Sequence, residues 1–300
     1  MGVGELIRKR RKNLNMTQGE LAENVCTQAM ISKIERGDLE PNGNLIEKLA
    51  RKLRVTVSYF YGEESTYSED NFLINLKKMI HEELNHSHMD RVDMLMETNK
   101  DLIKLATALE DIYFFEWVSG SLYFFKDRNS KQAIETLESI PLEKIKQTDL
   151  AINITNSLGS IYSHISEPEI ALGYFEKANL MQHKQTSIDT SAKLIYNLAF
   201  SLKENKQFRR ALAVTQQGID IIVEQHSLLS LGKLYWLKGI LFSYFKEYEE
   251  SIEAYKTALI IFKMEKNEQY RAMVLIDLQE AVNLNKKQSD SITDCLMEDE

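Results

Sequence analysis

The nearest approach to a hydrolytic centre in this sequence is His81-Glu82-Glu83-Leu84-Asn85-His86, which sets glutamates between two histidines as a zinc-protease helix does. Its histidines are five residues apart instead of four, so a helix turns them off a common face and no zinc site is expected. His86 and His88 read as solvated surface. Gly2-x-Gly4 lacks the preceding strand and the third glycine of a dinucleotide loop. Cys26 and Cys295 are the only thiols, too few for a disulfide framework and too isolated for a metal cluster. With no phosphate loop, nucleophile elbow or convincing Cys/His pair either, the sequence predicts no catalytic residue, no cofactor and no metal. The chemistry left is recognition.

The side chains best suited to it lie between Thr27 and Arg36. On a helix here, Met30, Ile31 and Ile34 fall on one stripe, while Gln28, Ala29, Ser32, Lys33 and Arg36 fall on the other face. Small and amide-bearing residues at the exposed start of a short helix let its backbone approach base edges. Gln can then pair bidentately with adenine N6/N7, and Lys can reach guanine O6/N7. Charge agrees. Residues 1–62 hold 11 Lys/Arg against 7 Asp/Glu, whereas the remaining chain holds 26 against 38, so only the first segment suits a polyanion.

Five short helices must position that face. The first has an apolar stripe of Leu6, Ile7 and Leu14 with Arg8, Lys9, Arg10, Arg11 and Lys12 around it. Thr17-Gln18-Gly19-Glu20 is a capping box that starts the second, which packs through Leu21, Ala22 and Val25 and breaks at Asn24 to Cys26. Thr27 offers the N-cap of the third and Gly37 ends it. Pro41 precedes the fourth, and Thr56 caps the last, Val57 to Tyr61, whose Val57 and Phe60 close a small core.

Met16-Thr17-Gln18-x-Glu20-Leu21-Ala22, Ile31-Ser32-Lys33-Ile34-Glu35-Arg36-Gly37 and Pro41-x-x-x-Leu45-x-x-x-Leu49-Ala50 resemble the phage-repressor-like helix-turn-helix of the Cro or XRE type. The resemblance departs from the usual pattern in one place: Ala22 to Glu35 is one residue shorter, with Cys26 near the customary turn glycine. It implies a DNA surface of Gln18, Thr27, Gln28, Ala29, Ser32, Lys33 and Arg36, and an internal ion pair of Arg11 with Glu35.

Beyond the polar stretch 63–70, read as a linker, the chain repeats itself every forty residues. Leu158-Gly159-x-x-Tyr162 with Ala171, Phe175 and Ala178 recurs as Leu198-Ala199-x-x-Leu202 with Ala211, Thr215 and Gly218, then as Lys238-Gly239-x-x-Phe242 with Ser251, Tyr255 and Ala258. A looser copy passes through Gly120, Tyr123, Ala133 and Leu137, and 69–100 is read as a pair without the signature. Antiparallel helices pack closely where a small side chain admits a large one, which is the tetratricopeptide (TPR) arrangement. The expected fold is all-α: a five-helix Cro-type domain at 1–62, then a right-handed TPR-like solenoid at 71–285 of about five repeats. A capping helix near Gln269 to Leu284 closes it, and 286–300 is read as an acidic, frayed tail. Three Pro and 12 Gly in 300 residues fit so helical a chain. No apolar run nears the roughly 20 residues of a membrane span, and the opening MGVGELIRKRRK turns basic where a secretory signal would turn apolar, so a cytoplasmic home is expected.

In such an array the first helix of each pair lines a groove. Counting along them places Asn153, Asn156 and Ser160, then Lys193, Asn197 and Phe200, then Lys233, Trp236 and Tyr244 on or beside it. A carboxamide grips peptide C=O and N–H alike, lysines can meet a carboxylate, and Phe200 and Trp236 can supply apolar pockets. The alternative is a groove filled by the protein's own C-terminal helix.

Almost the whole chain resembles the peptide-pheromone-responsive regulators of Gram-positive bacteria, the RNPP group, in its PlcR-like branch. Asn24-Val25-Cys26-Thr27-Gln28, Asn156 to Tyr162 and Tyr196-Asn197-x-Ala199 carry that resemblance. It implies a homodimer that binds a palindromic double-stranded DNA operator and a short signalling peptide, with Asn156 and Asn197 clamping the peptide backbone, as in quorum sensing. A second function class stays open: a TPR protein-interaction scaffold with constitutive or secondary DNA binding. Neither involves a membrane.

Overall fold

The computed structural model describes residues 2–14, 16–53, 55, 57–61 and 69–298, with the backbone alone at 58, 69–71 and 290–298. Thr56 and most of the expected linker lie outside the described residues. All described elements are helices, in two compact units, Met1–Ala106 and Thr107–Glu300.

The first unit opens with α1 (Val3–Asn13), α2 (Gln18–Ala22), α3 (Gln28–Arg36), α4 (Gly43–Leu53) and a 3₁₀ turn at Val57–Tyr61. The capping box forms: the Glu20 N–H donates to Thr17 Oγ1 at 3.1 Å, and the Thr17 N–H donates to the Glu20 carboxylate at 2.6 Å. Thr27 Oγ1 accepts from the Met30 N–H at 3.3 Å, and Gly37 ends α3 with φ 81°, where a side chain would be strained. Ile7, Leu21, Ile31, Ile34, Ile46, Leu49, Leu53 and Phe60 make the core. Helices α5 (Glu69–Asn85), α6 (Met89–Thr98) and α7 (Lys100–Ile103) complete this unit, burying Leu73, Leu76, Ile80 and Val92. The sequence groups 71–100 with the repeats, and α5 begins at the end of the stretch read as linker.

The second unit is the helical array. Its pairs are α8 (Leu109–Phe125) with α9 (Ser130–Glu138), α10 (Thr148–His164) with α11 (Pro168–Leu180), α12 (Ile188–Glu204) with α13 (Phe208–Glu224), and α14 (Leu231–Tyr244) with α15 (Tyr248–Met264). Small residues stand at the crossings: a Cβ on Gly159 would come within 2.7 Å of the Phe175 ring, and one on Gly239 within 2.4 Å of Tyr255. The turns inside the pairs repeat as well. Ser166, Lys206 and Lys246, forty residues apart, are all left-handed at φ 65°, 59° and 62°. In each case the following N–H reaches back to the first helix, Glu167 to Tyr162, Gln207 to Leu202 and Glu247 to Phe242. The closing helix α16 (Glu268–Glu298) continues past Leu284 through the segment read as a frayed tail, because no Gly or Pro interrupts it.

Candidate nucleic-acid interface and ligand groove

In the helix-turn-helix, Glu35 is the hub behind the outward face. It is 5% exposed and accepts from Arg11 Nε at 2.6 Å, Arg11 Nη2 at 2.8 Å and Gln18 Nε2 at 2.9 Å. Burial alone would raise its pKa; the hydrogen bonds from Arg11 and Gln18, with the charges of Arg11 and Arg8, outweigh that and hold it below the ordinary carboxylate value. Arg11 also donates to the Met16 carbonyl at 2.7 Å, so one guanidinium ties α1, the α2 entry and α3 together. Gln18 is thereby fixed in orientation.

On the far side of that frame Gln28, Ala29, Lys33 and Arg36 are exposed and Ser32 is half-buried, while Thr27 serves as the cap. Arg36 pairs with Asp38 at 2.9 Å. The short turn that departs from the usual pattern closes through Asn24, which takes the left-handed conformation at φ 60° that a turn glycine would take. Of the five cations on α1, Arg8, Lys9 and Lys12 are exposed, but Arg10 and Arg11 are buried, Arg10 Nε capping the end of α4 at the Leu53 carbonyl, 3.0 Å away. Arg11 turns inward to Glu35 as the resemblance implies, and Arg10 is the one that departs from the basic face expected for that helix.

The first helices of the array carry a polar ladder. Asn197 Nδ2 donates to Asn156 Oδ1 at 3.0 Å and to Ser160 Oγ at 3.4 Å, joining α12 to α10. Trp117 Nε1 donates to Ser157 Oγ at 2.9 Å on one side, and Trp236 Nε1 to Asp277 Oδ2 of α16 at 2.6 Å on the other. Lys233 lies over the rings of Tyr196 and Tyr270, 5.5 Å and 5.2 Å from their centroids. Lys193, half-buried, has its pKa lowered to about 8 by burial, against the pull of Asp189 and with the push of Lys233. The structure therefore brings Asn156, Ser160 and Asn197 together, and Lys193 near Lys233. It sends three residues elsewhere. Asn153 is 7% exposed and donates to Thr190 Oγ1 at 3.4 Å, Phe200 packs against the core of the array with Lys203 over its ring, and Tyr244 stacks on Phe208 with ring centroids 3.7 Å apart.

Residues 75–281 match the RNPP family C-terminal domain, which is more than half of the chain. The chain belongs to the RNPP family. Residues 7–60 separately match a helix-turn-helix. The immunity repressor protein of Bacillus phage phi105 is 28% identical over 149 residues, 49% of this chain and 88% of the repressor. The HTH-type transcriptional regulator DicA of Escherichia coli K12 is 39% identical over 64 residues, 21% of this chain and 47% of DicA. In fold, the chain is similar to Bacillus thuringiensis PlcR, solved in complex with the peptide PapR7 and DNA, at 23% identity and a TM-score of 0.61 over 91% of this chain and 98% of that one. It is also similar to ComR from S. thermophilus, solved with DNA and its signalling peptide ComS, at 13% identity and a TM-score of 0.52 over 93% and 99%. Those likenesses concern architecture: an all-α chain with a helix-turn-helix followed by a TPR-like array.

Within this RNPP chain the sequence reading misses three contributors. A Cβ on Gly4 would stand 2.0 Å from the Ile34 carbonyl oxygen, so the glycine dismissed as a nucleotide motif is what lets α1 cross α3. Tyr270 and Asp277 of α16 border the groove, and continuing the inter-repeat offset would have found Asp277: Trp236 meets it 41 residues on, as Asn156 meets Asn197. Glu83 pairs with His88 at 2.7 Å and Arg91 at 3.3 Å on the unit-one surface. Among the described residues no His/Cys/Asp/Glu group could hold a metal, and no helix is long and apolar enough to cross a membrane.

Proposed function

We propose that this protein is a DNA-binding transcriptional regulator gated by a short signalling peptide bound in the groove of its helical array, of the kind used in quorum sensing. It works in the cytoplasm, as a homodimer on a two-fold operator. One observation carries the reading: a helix-turn-helix at 7–60 and an RNPP C-terminal domain at 75–281 occur in the same chain. PlcR and ComR, of the same architecture, were solved with both DNA and a peptide.

In this reading α3 enters the major groove, where Gln28 and Lys33 read base edges, Ala29 and Ser32 permit the close approach, and Gln18, Thr27 and Arg36 contact the backbone or flanking bases. Asn156 and Asn197 exchange their mutual hydrogen bond for bonds to the backbone of an extended peptide. A dimer must present its two third helices about 34 Å apart, or a multiple of that, to meet one side of the duplex. A peptide that binds more tightly to the arrangement with that spacing raises operator affinity by the same coupling free energy, commonly ~1–3 kcal/mol.

The test selects an operator from random duplexes with the purified protein and titrates it with and without short synthetic peptides captured by the same protein. The expected result is an operator affinity that shifts on peptide addition, roughly 5- to 150-fold. Peptide and operator equilibria that ignore each other would remove the gating, and a folded protein partner displacing peptide from the groove would favour the scaffold reading instead.

A further inference from the structure

On α12 the stripe of Lys193, Asn197 and Phe200 is matched, half a turn round the helix, by a second stripe of Ile188, Ser191, Ile195 and Leu198. That second stripe floors a recess of about 460 Å³ on the far side of α12 from Asn197, with the end of α11 and its following loop as one wall and α13 as the other. The space follows from helix length. α11 has 13 residues where α13 has 17, so Ile221 and Gln225, at the end of α13, face a loop instead of a helix. The next seam of the array is closed: forty residues on, Asn179, Gln182 and Ser191 give way to Ile219, Ile222 and Leu231, all buried and packed with Ile261 of α15. One seam is dry and filled, and its neighbour, built on the same plan, is polar and open. The loop wall of the open seam is already ordered. The His183 N–H donates to Thr186 Oγ1 at 3.1 Å, and the His183 ring accepts from the Gln185 N–H at 3.1 Å while reaching Thr148 at 2.7 Å. Gln182 Nε2 donates to Asn179 Oδ1 at 2.8 Å, which leaves Asn179 Nδ2 as a donor beside Gln182 Oε1 as an acceptor. On the α13 wall, Gln217 and Gln225 make no side-chain hydrogen bond among the described residues. No carboxylate lines the recess, so nothing in it calls for a cation.

We propose that this recess is a second binding site, separate from the peptide groove, for a small neutral cyclic amide of nucleobase size. Its volume falls within the roughly 300–1,000 Å³ of cavities that take small molecules. The carboxamides on its two walls offer donor and acceptor groups side by side, and the edge of a cyclic amide offers the same pair reversed, so each edge can be held by two hydrogen bonds. Ile195 and Leu198, both buried, lie beneath to receive the flat face of the ring. Nucleobases and cyclic dipeptides share this chemistry. A ring held by Asn179 and Gln182 on one wall and by Gln217 or Gln225 on the other ties the α10–α11 pair to the α12–α13 pair, supplying the contact that Ile219, Ile222 and Leu231 make at the next seam.

The experiment titrates the full-length protein with uracil, hypoxanthine and cyclo(Gly-Leu), and with benzyl alcohol, a compact ring compound without an amide edge, reading binding by calorimetry and hydrogen exchange. At least one cyclic amide should bind saturably and slow exchange in 179–191 and 214–225; whether a nucleobase or the dipeptide ring prevails identifies the source. Ser191→Leu, which gives this seam the side chain its neighbour carries, should weaken that probe about tenfold or more, and so should Gln217→Ala combined with Gln225→Ala, which leaves the floor intact. Asn197→Ala, on the groove side of α12, should leave the probe's affinity unchanged. No binding by any cyclic amide at millimolar concentration overturns the site, and so does benzyl alcohol binding equally well. Parental affinity in both recess variants overturns it too, as does a probe lost in Asn197→Ala and kept in Ser191→Leu, which would lie in the groove. These outcomes leave peptide gating standing or falling on its own test at the operator.

Discussion

The DNA-reading face and the groove differ in what their polar groups are doing before a ligand arrives. Gln28 and Lys33 project from α3 with no hydrogen bond among the described residues, while everything that orients them sits behind, on Glu35. In the groove the candidate groups are spent on one another: Asn197 on Asn156 and Ser160, Trp236 on Asp277. DNA therefore meets a surface already organised, at little internal cost. In the proposed reading a peptide meets bonds that join neighbouring helices and replaces them, which is how a small ligand would alter the relation between repeats. A sensor needs exchangeable contacts and a reader needs rigid ones.

The sharpest way to break this contrast is to remove the hub. Arg11→Met leaves the Glu35 carboxylate buried without its ion pair, a change worth about 3–5 kcal/mol, so the helix-turn-helix should lose most of its stability while the array's unfolding transition stays put. Urea unfolding followed separately for the two units reads this directly. Glu35 titrates below its ordinary value, so the pair's contribution is complete above about pH 4.5 and lost as pH falls through the folded-state pKa; Arg11→Met should abolish that acid-side slope. A variant that keeps parental stability would show that the frame does not depend on the pair.

Next in size is the backbone approach at Gly4. A methyl group there meets a carbonyl oxygen that cannot rotate away, so Gly4→Ala should cost about 3 kcal/mol. The same change at Gly239 meets the edge of the Tyr255 ring, which can shift, and should cost nearer 1 kcal/mol. Thermal unfolding of both variants tests whether the reader is the stiffer of the two regions. On the outward face, Gln28→Ala and Lys33→Ala should each lose ~1–3 kcal/mol of operator discrimination with unchanged stability and unchanged peptide affinity. Unaltered selectivity in both would move the reading surface away from α3.

Local signals account for what could be read ahead of the structure. The capping box at Thr17, the cap at Thr27, the Gly37 stop and the two faces of α3 each depend on a few adjacent residues, and the forty-residue period reports small-to-large packing that recurs within each repeat. What stayed hidden is tertiary. Arg10 is indistinguishable from Lys9 on a basic helix until the α4 terminus it caps is in place. Turns closed by Ser166, Lys206 and Lys246 carry no glycine to mark a left-handed residue. Tyr244 occupies a groove-helix position by count, yet its ring finds Phe208, because it is the last residue of α14.

The smallest effect discriminates most finely between the two regions. Asn197→Ala deletes two hydrogen bonds between half-buried side chains on α10 and α12, and water can take over at Asn156 and Ser160, so the free protein should lose no more than about 1 kcal/mol. Peptide affinity should fall by ~0.5–1.5 kcal/mol for each backbone bond the carboxamide makes. Asn156→Ala should behave alike, and the double variant should lose less than the sum if both amides hold one stretch of peptide. Fully additive losses would mean that the two act at separate points along the ligand, and undiminished binding by Asn197→Ala would remove that residue from the site. The self-satisfied groove predicts one further asymmetry: the peptide should slow hydrogen exchange along α10 and α12, whereas operator DNA should leave the already ordered backbone of α3 with little left to gain.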